Sequence, residues 1–213
     1  MQLYFTRHGK TEWNQARRFQ GMMGDSPLLP ESYKEGDAIA NVPFEKIYSS
    51  TSLRARTTAQ GIVERLKQPV EIVYTEGLRE LGLGDLEGQF IDEMQAKYPQ
   101  ELADLRHHLD RYDPTIFQGE PIEDALKRIE TVVMTAVQAH NGPLLFVGHG
   151  ASLTAAIQWL AGKELAQLRE QGGLVNNSLT ILETGADKQL PFEMTCWNDA
   201  SFLENQDSLD ALL

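Results

Sequence analysis

Two histidines in the sequence stand where a phosphoryl group can be attacked and held. His8 follows a short β-prone run, residues 3–6, and has Arg7 beside it. His149 follows an uninterrupted apolar run, residues 144–147. A neutral imidazole can attack phosphorus in line, and a guanidinium presents a planar fork of donors that suits phosphate oxygens. These features make His8 a candidate nucleophile and Arg7 a candidate phosphate ligand.

Two further segments supply the other groups that displacement at phosphorus needs. The reaction requires donors for the equatorial oxygens and a proton for the leaving oxygen. Arg54 lies in a Ser- and Thr-rich stretch, residues 49–59, and is a candidate donor. Glu80 lies in residues 78–88, and it can serve as the acid if it holds a proton at neutral pH. A lone Arg-His-Gly tripeptide recurs by chance. The segments around His8, Arg54, Glu80 and His149 occur together in one chain, and this combination indicates phosphoryl transfer.

These segments resemble the signatures of the histidine phosphatase superfamily, the phosphoglycerate mutase-like family. Residues 7–11 match its Arg-His-Gly-x-Thr signature, and residues 49–59 match Ser-Ser-x-x-x-Arg-Ala-x-x-Thr-Ala. Residues 78–88 look like its acid segment, and residues 147–150 match the segment of its second histidine. The resemblance covers about residues 1–185. It implies catalysis through a phosphohistidine, without a metal or an organic cofactor.

Carried over residue by residue, the resemblance implies a role for each motif residue. His8 would be phosphorylated transiently, and Glu80 would protonate the leaving oxygen. Arg7 and Arg54 would hold the phosphate, and His149 would donate to the transferring oxygens. The implied catalytic residues are His8, Glu80, His149, Arg7 and Arg54. The implied substrate-binding residues are Arg7, Asn14, Gln20, Gly21, Arg54, Glu80, His149 and Gly150.

The sequence departs from the family's pattern at two positions. Residues 119–121 resemble its Gly-Glu-Ser element, but Pro121 replaces the serine, so a backbone-positioning role there is not implied. Ser52 stands where leucine is common, which affects packing rather than chemistry. The aligned pattern selects Arg54 as the second phosphate-binding arginine. Arg56, two positions on, would point elsewhere on the helix.

Strand-like and helix-like segments alternate along the chain. Expected strands are residues 3–6, 44–50, 70–74, 144–147, 178–183 and 192–196, the last two at a sheet edge. Expected helices begin near residue 11 and cover residues 52–67 and 152–160. Since parallel neighbours need helical crossovers, this order predicts a three-layer α/β/α sandwich with a mostly parallel central sheet. Ligands of such sheets bind at the carboxyl ends of strands, which places His8 and His149 at one rim.

The length of 213 residues is typical of one domain, here residues 1–213. Residues of about 90–122, helical and mixed in charge, are interpreted as an inserted helical cap over the rim. Residues of about 203–213 are interpreted as a polar tail. The five histidines lack the paired helical spacing of a zinc protease, so no metal site is predicted.

Composition narrows the class of partner. A formal net charge of −12 disfavours nucleic acid and anionic membranes, while a local arginine cluster can still bind a small phosphorylated substrate. A single cysteine, Cys196, suits a reducing compartment, and the amino-terminal residues do not form the apolar core of a signal peptide. We therefore expect a cytoplasmic protein. A homodimer is compatible with the sequence, which carries no signal for the oligomeric state.

Three functions remain open on the sequence: a phosphatase for small phosphate monoesters, a cofactor-dependent phosphoglycerate mutase-type enzyme, and a non-catalytic relative that binds phospholigands. From Glu80 the chain reads Glu-x-x-x-Gly-x-x-Glu-Gly, which looks like the phosphatase branch more than the mutases' Glu-Arg-x-Tyr-Gly. The length also leaves less room for the long additions of the mutases. The physiological substrate depends on cap side chains, for which the candidates are Met94, Tyr98, Arg106, His107, Arg111, Tyr112 and Phe117.

Overall fold

A computed structural model describes residues 1–30 and 35–203. The strands are β1 (Gln2–Arg7), β2 (Lys46–Ser50), β3 (Ile72–Thr75), β4 (Leu144–Gly148), β5 (Leu179–Glu183) and β6 (Glu193–Asp199). The α-helices are α1 (Glu12–Gln15), α2 (Glu35–Ala38), α3 (Leu53–Arg65), α4 (Ile91–Lys97), α5 (Pro99–His107), α6 (Ile122–Ala139) and α7 (Gly150–Leu160). Within the described ranges, no helix is both long and apolar enough to cross a membrane. The predicted tail falls almost entirely outside them.

The six strands form one sheet in the order β3-β2-β4-β1-β5-β6. The first four are parallel, and β5 and β6 are antiparallel, so the predicted mostly parallel α/β sheet is confirmed. The placement of β5 at an edge was wrong, because β5 lies between β1 and β6. The apolar run of β5 pairs with β1 over the whole length of β5, and among the described strands β6 forms that edge.

Alternating side chains of β1 build two apolar cores, one on each face of the sheet. Leu3 and Phe5 face a core shared with α6 and α7, and the Phe5 ring stacks on Phe146 of β4. Tyr4 faces the opposite core, which includes Ile62 of α3. Since β1 and β4 are buried on both faces, their carboxyl ends are held rigidly at the centre of the sheet.

The segment interpreted as a cap is helical, consisting of α4, α5 and a 3₁₀ turn at Pro114–Phe117. Tyr112 and Phe117 are buried in the same core as Leu3, and Met94 and Tyr98 pack against it. These four cap side chains therefore serve packing. The candidates left for substrate recognition are Arg106, His107 and Arg111.

A carboxylate before β2 joins the end of α6 to the sheet. Glu45 Oε1 accepts a hydrogen bond from His140 Nδ1 at 2.7 Å, and Oε2 accepts from the backbone of Asn141 at 3.0 Å and Gly142 at 2.6 Å. The His140 bond is the largest cause that lowers the pKa of Glu45, from 4.5 to about 2. The pKa of Glu45 is lower in the folded protein than in the unfolded chain. Its contacts therefore stabilise the fold fully at pH values above 4.5, and this stabilisation is lost as the pH falls towards 2.

We expect Glu45→Gln to lower the melting temperature near neutral pH. The difference from the wild type should shrink as pH falls from 4.5 towards 2, because the wild-type carboxylate is then protonated as well. Thermal unfolding across this window measures it, with Glu193→Gln as a matched change of an exposed carboxylate. A difference that stayed constant with pH would contradict the assignment.

Candidate active site

His8 lies directly beyond β1, and its ring is held in one tautomer. Its backbone N–H donates to the Gly148 carbonyl at 2.9 Å, which joins the ends of β1 and β4. Nδ1 is 2.7 Å from the carbonyl oxygen of Gly9, so Nδ1 carries the proton and donates. Nε2 then keeps its lone pair and accepts a bond from Arg54 Nε at 3.2 Å. The ring is 2% exposed and presents a nucleophilic nitrogen.

The surroundings keep His8 neutral. Burial is the largest cause that lowers its pKa well below 6.5, followed by the charges of Arg54 and Arg7, and the bond to Gly9 opposes them only in part. A protonated Nε2 cannot attack phosphorus. Since the folded pKa lies below its usual value, protonation of His8 should limit the reaction only at clearly acidic pH.

The Arg54 guanidinium is held by hydrogen bonds to acceptors on the loop of residues 21–25. Nη1 contacts Asp25 Oδ1 at 3.0 Å and the Gly24 carbonyl at 2.8 Å, and Nη2 donates to the Gly21 carbonyl at 2.9 Å. The side chain is 1% exposed, so the ion pair with Asp25 holds a buried cation in place. Arg56 points elsewhere, as the helical spacing predicted, and its guanidinium lies over the ring of Tyr74.

The predicted binding residues of the first loops support the pocket through their own contacts. Gly21 has a φ of +66°, and a Cβ there would lie 2.3 Å from Glu87 Oε1, so the close approach requires glycine. Gln20 is buried and accepts from Ser26 Oγ at 3.1 Å. Asn14 closes a capping box with Thr11 at the start of α1. A direct contact of these residues with phosphate stays a prediction.

His149 faces His8 across the rim, with ring centroids 5.3 Å apart at 61°, which confirms the predicted shared rim. Its Nε2 is 2.8 Å from Ser50 Oγ at the end of β2, whereas its Nδ1 is buried without a hydrogen-bond partner in the described chain. Burial first, and then the Arg54 charge, lower the pKa of His149. In the tautomer with the proton on Nδ1, Nε2 accepts from the Ser50 hydroxyl. That N–H is available for a phosphoryl oxygen.

Ser50 is therefore a positioning residue for His149. We expect Ser50→Ala to lower kcat by about 10-fold and leave KM within about threefold, because the alanine removes one neutral hydrogen bond that sets the tautomer. Ser50→Thr should restore much of the loss by returning the hydroxyl. Steady-state kinetics and the pH profile of kcat distinguish this from a structural effect, which would lower the melting temperature and leave the profile unchanged.

Glu80 lies at the amino terminus of α7, which begins at Gly150, two residues earlier than predicted. Its Oε1 accepts from the backbone N–H of Ser152 at 2.7 Å and of Leu81 at 2.8 Å, and Oε2 accepts from Ala151 at 3.0 Å. A helix amino terminus favours a carboxylate. The 5% exposed side chain is thereby held beside His149, which is the N-cap of α7.

The Gly-Glu-Pro element, residues 119–121, holds the backbone around Glu80 through Arg128. Arg128 donates to the carbonyls of Arg79 at 2.7 Å and Glu80 at 3.0 Å, and it forms an ion pair with Glu120 at 2.8 Å. Glu120 Oε2 also accepts from Gly82 N at 3.1 Å. The Glu120 carboxylate, rather than Pro121, therefore holds the acid segment, residues 78–88, in place.

Sequence reasoning missed the segment of residues 169–177. The Leu174 carbonyl accepts from Arg7 Nη1 at 2.7 Å, and Asn176 Nδ2 donates to the His8 carbonyl at 2.9 Å. Asn177, which donates its N–H to the Arg7 carbonyl, has a φ of +63°, a conformation that asparagine adopts more easily than most residues. The Asn-Asn pair was the one available signal of a special turn.

Comparison with known proteins agrees with this geometry. The model of the histidine phosphatase superfamily (branch 1) matches residues 3–200. A 2,3-bisphosphoglycerate-dependent phosphoglycerate mutase of Brucella melitensis is 31% identical over 179 residues, covering 79% of this chain and 85% of the relative. A 6-phosphofructo-2-kinase/fructose-2,6-bisphosphatase of Caenorhabditis elegans is 31% identical over 172 residues, which cover 78% of this chain. This chain spans about a third of that longer protein, 35%.

Solved structures are similar over nearly the whole chain. Bacillus stearothermophilus YhfR has a TM-score of 0.84 and 32% identity, covering 95% of this chain and 99% of its own. A mycobacterial glucosyl-3-phosphoglycerate phosphatase in complex with VO3 has a TM-score of 0.80 and 26% identity, covering 93% and 99%. The sheet that positions His8 and His149 is therefore shared with these structures.

Proposed function

Since the chain belongs to the histidine phosphatase superfamily, we propose that it is a phosphatase that hydrolyses small phosphate monoesters through a phosphohistidine on His8. The observation that carries the proposal is the His8 ring itself. Its Nδ1 is tied to the Gly9 carbonyl, and its Nε2 faces Arg54 in a buried, cationic pocket. A neutral nucleophile surrounded by fixed cations suits attack on a phosphate.

The first step forms a bond between His8 Nε2 and phosphorus while the bond from phosphorus to the ester oxygen breaks. The Arg54 Nε–H that Nε2 now accepts turns to a phosphoryl oxygen, which frees the lone pair for the attack. Arg7, Arg54 and the Nδ1–H of His149 stabilise the charge on the phosphoryl oxygens. A protonated Glu80 gives its proton to the leaving alkoxide. In its present contacts Glu80 accepts two backbone N–H groups on Oε1 and one on Oε2, so the remaining lone-pair position on Oε2 can carry the proton for the leaving oxygen.

The second step is hydrolysis of the phosphohistidine. Water attacks phosphorus, its proton passes to the carboxylate of Glu80, and the nitrogen–phosphorus bond breaks. Inorganic phosphate leaves and Glu80 is again protonated for the next cycle. Neither step uses a metal or an organic cofactor. The substrate is a small phosphorylated molecule, and the protein acts in the cytoplasm.

A mutase is the second candidate, because the Brucella melitensis relative is named a phosphoglycerate mutase and is 31% identical. The two functions share the phosphohistidine and differ in its acceptor, which is water or a retained phosphoglycerate. The sequence pattern of residues 80–88, Glu-x-x-x-Gly-x-x-Glu-Gly, favours the phosphatase. Glu87 of this pattern accepts from the backbone of Met22 and Gly24, so it braces the loop around Arg54.

A panel of phosphate monoesters tests the proposal. We expect release of inorganic phosphate from several esters, with full activity in the presence of a chelator. The panel includes 3-phosphoglycerate, with the 2-isomer monitored with and without a 2,3-bisphosphoglycerate primer. Primer-dependent isomerisation faster than phosphate release would favour the mutase. Tight phosphate binding without turnover of any ester would reject both and leave the non-catalytic relative.

A further inference from the structure

Arg169 is a buried cation whose guanidinium is mostly unused. The residue is 5% exposed, and its Nε donates to the carbonyl of Arg106 in α5 at 2.9 Å. Among the residues that the structure describes, none accepts a hydrogen bond from Nη1 or Nη2, and none forms an ion pair with Arg169. Burial lowers its pKa to about 10, so Arg169 is still a cation at neutral pH.

Arg169 lies in the electrostatic field of the active site. The charges that act on it are, in order, those of Glu80, Arg7 and Arg106. Five positions later, its segment reaches Leu174, whose carbonyl binds Arg7. The segment that carries Arg169 therefore contacts the phosphate pocket through the Leu174 carbonyl.

The contacts already present do not account for a charge at this position. Glu80 is satisfied by three backbone N–H groups and forms no ion pair with Arg169 in the described chain. Arg7 repels it. One backbone carbonyl, that of Arg106, uses only one of the N–H donors of a guanidinium. Neither Nη1 nor Nη2 is completely buried, so a ligand can reach both of them. An anion bound there would pair a charge on a residue that is only 5% exposed.

We propose that Arg169 binds a second oxyanion of the substrate, a carboxylate or a further phosphate, close to the phosphoryl group that His8 attacks. The inference rests on the proposed function and narrows its substrate class. The fork of Nη1 and Nη2 fits either oxyanion. Esters that carry only the reacting phosphate leave Arg169 unpaired and bind more weakly.

Paired ligands that differ in the second oxyanion test this role. 3-Phosphoglycerate and glycerol 3-phosphate differ in a carboxylate, and fructose 1,6-bisphosphate and fructose 6-phosphate differ in a phosphate. Dissociation constants are measured by calorimetry in the His8→Ala background, where the ligands stay intact. We expect Arg169→Met to weaken the member with the second oxyanion by about 10- to 100-fold, and its partner by less than about threefold.

The pair that responds identifies the source of the oxyanion. Arg65→Met, on the exposed end of α3, serves as the matched control and should leave all four constants unchanged. Arg169→Lys keeps the charge without the fork, and it replaces the methionine variant if thermal unfolding shows that the latter does not fold. We expect it to give an intermediate loss. Equal weakening within each pair, or no weakening, would overturn the inference.

This binding test is independent of turnover. If the wild-type protein hydrolyses none of these esters, the proposed function fails while the selectivity of Arg169 is still measured. If the esters are hydrolysed but the paired constants do not separate, Arg169 only anchors the Arg106 carbonyl, and the inference fails alone.

Discussion

Replacing His8 with alanine is expected to lower the hydrolysis of phenyl phosphate by about 10⁴-fold or more, because the change removes the atom that forms the covalent intermediate. The fold should survive, since the His8 side chain contributes its ring contacts to the pocket rather than to either apolar core. The measurement is phosphate release, together with thermal unfolding to show that the variant is folded. His108→Ala changes an exposed histidine and is the matched control.

The intermediate itself separates a nucleophile from a histidine that only binds phosphate. Rapid quenching of the wild type with labelled substrate should trap a phosphoryl group that is stable in base and lost in acid, as a nitrogen–phosphorus bond requires. His8→Ala should trap none. Full activity in this variant, or a trapped group that persists in it, would reject His8 as the nucleophile.

The elements that carry the two histidines were predictable because they depend on local patterns. Residues 144–147 are apolar without interruption, and such a run in an α/β chain indicates a central strand buried on both faces. The rule that ligands bind at the carboxyl ends of parallel strands then placed His8 beside His149. The 5.3 Å separation of their rings follows from the pairing of Arg7 with Gly148 at the ends of β1 and β4.

The supports of the site could not be predicted, because they are formed by backbone groups far apart in the sequence. Glu80 is held by the backbone N–H groups of α7, and Arg7 by the carbonyl of Leu174. Any residue type offers the same backbone groups, so these contacts leave no pattern. Asp25 was missed for a related reason, since its partner Arg54 is 29 residues away and only the fold brings the two together.

The Glu80→Gln variant is expected to slow the first turnover of glycerol 3-phosphate by about 10²- to 10⁴-fold, because an alkoxide is a poor leaving group without a proton. The amide also places an N–H against one of the backbone donors that the carboxylate now accepts, so the end of α7 loses some stability. A thermal unfolding curve measures that loss separately. Glu123→Gln, which changes an exposed carboxylate at the start of α6, is the control.

An ester with a good leaving group separates two roles of Glu80, proton donation to the leaving oxygen and positioning of α7. Nitrophenolate leaves without a proton, so the first turnover of 4-nitrophenyl phosphate by Glu80→Gln should stay within about 10-fold of the wild type. Hydrolysis of the phosphohistidine lacks its base in this variant. Stopped flow should therefore show a burst of one nitrophenolate per active site, followed by slow steady turnover. If Glu80 only positioned α7, the first turnover would fall equally for both esters and no burst would appear.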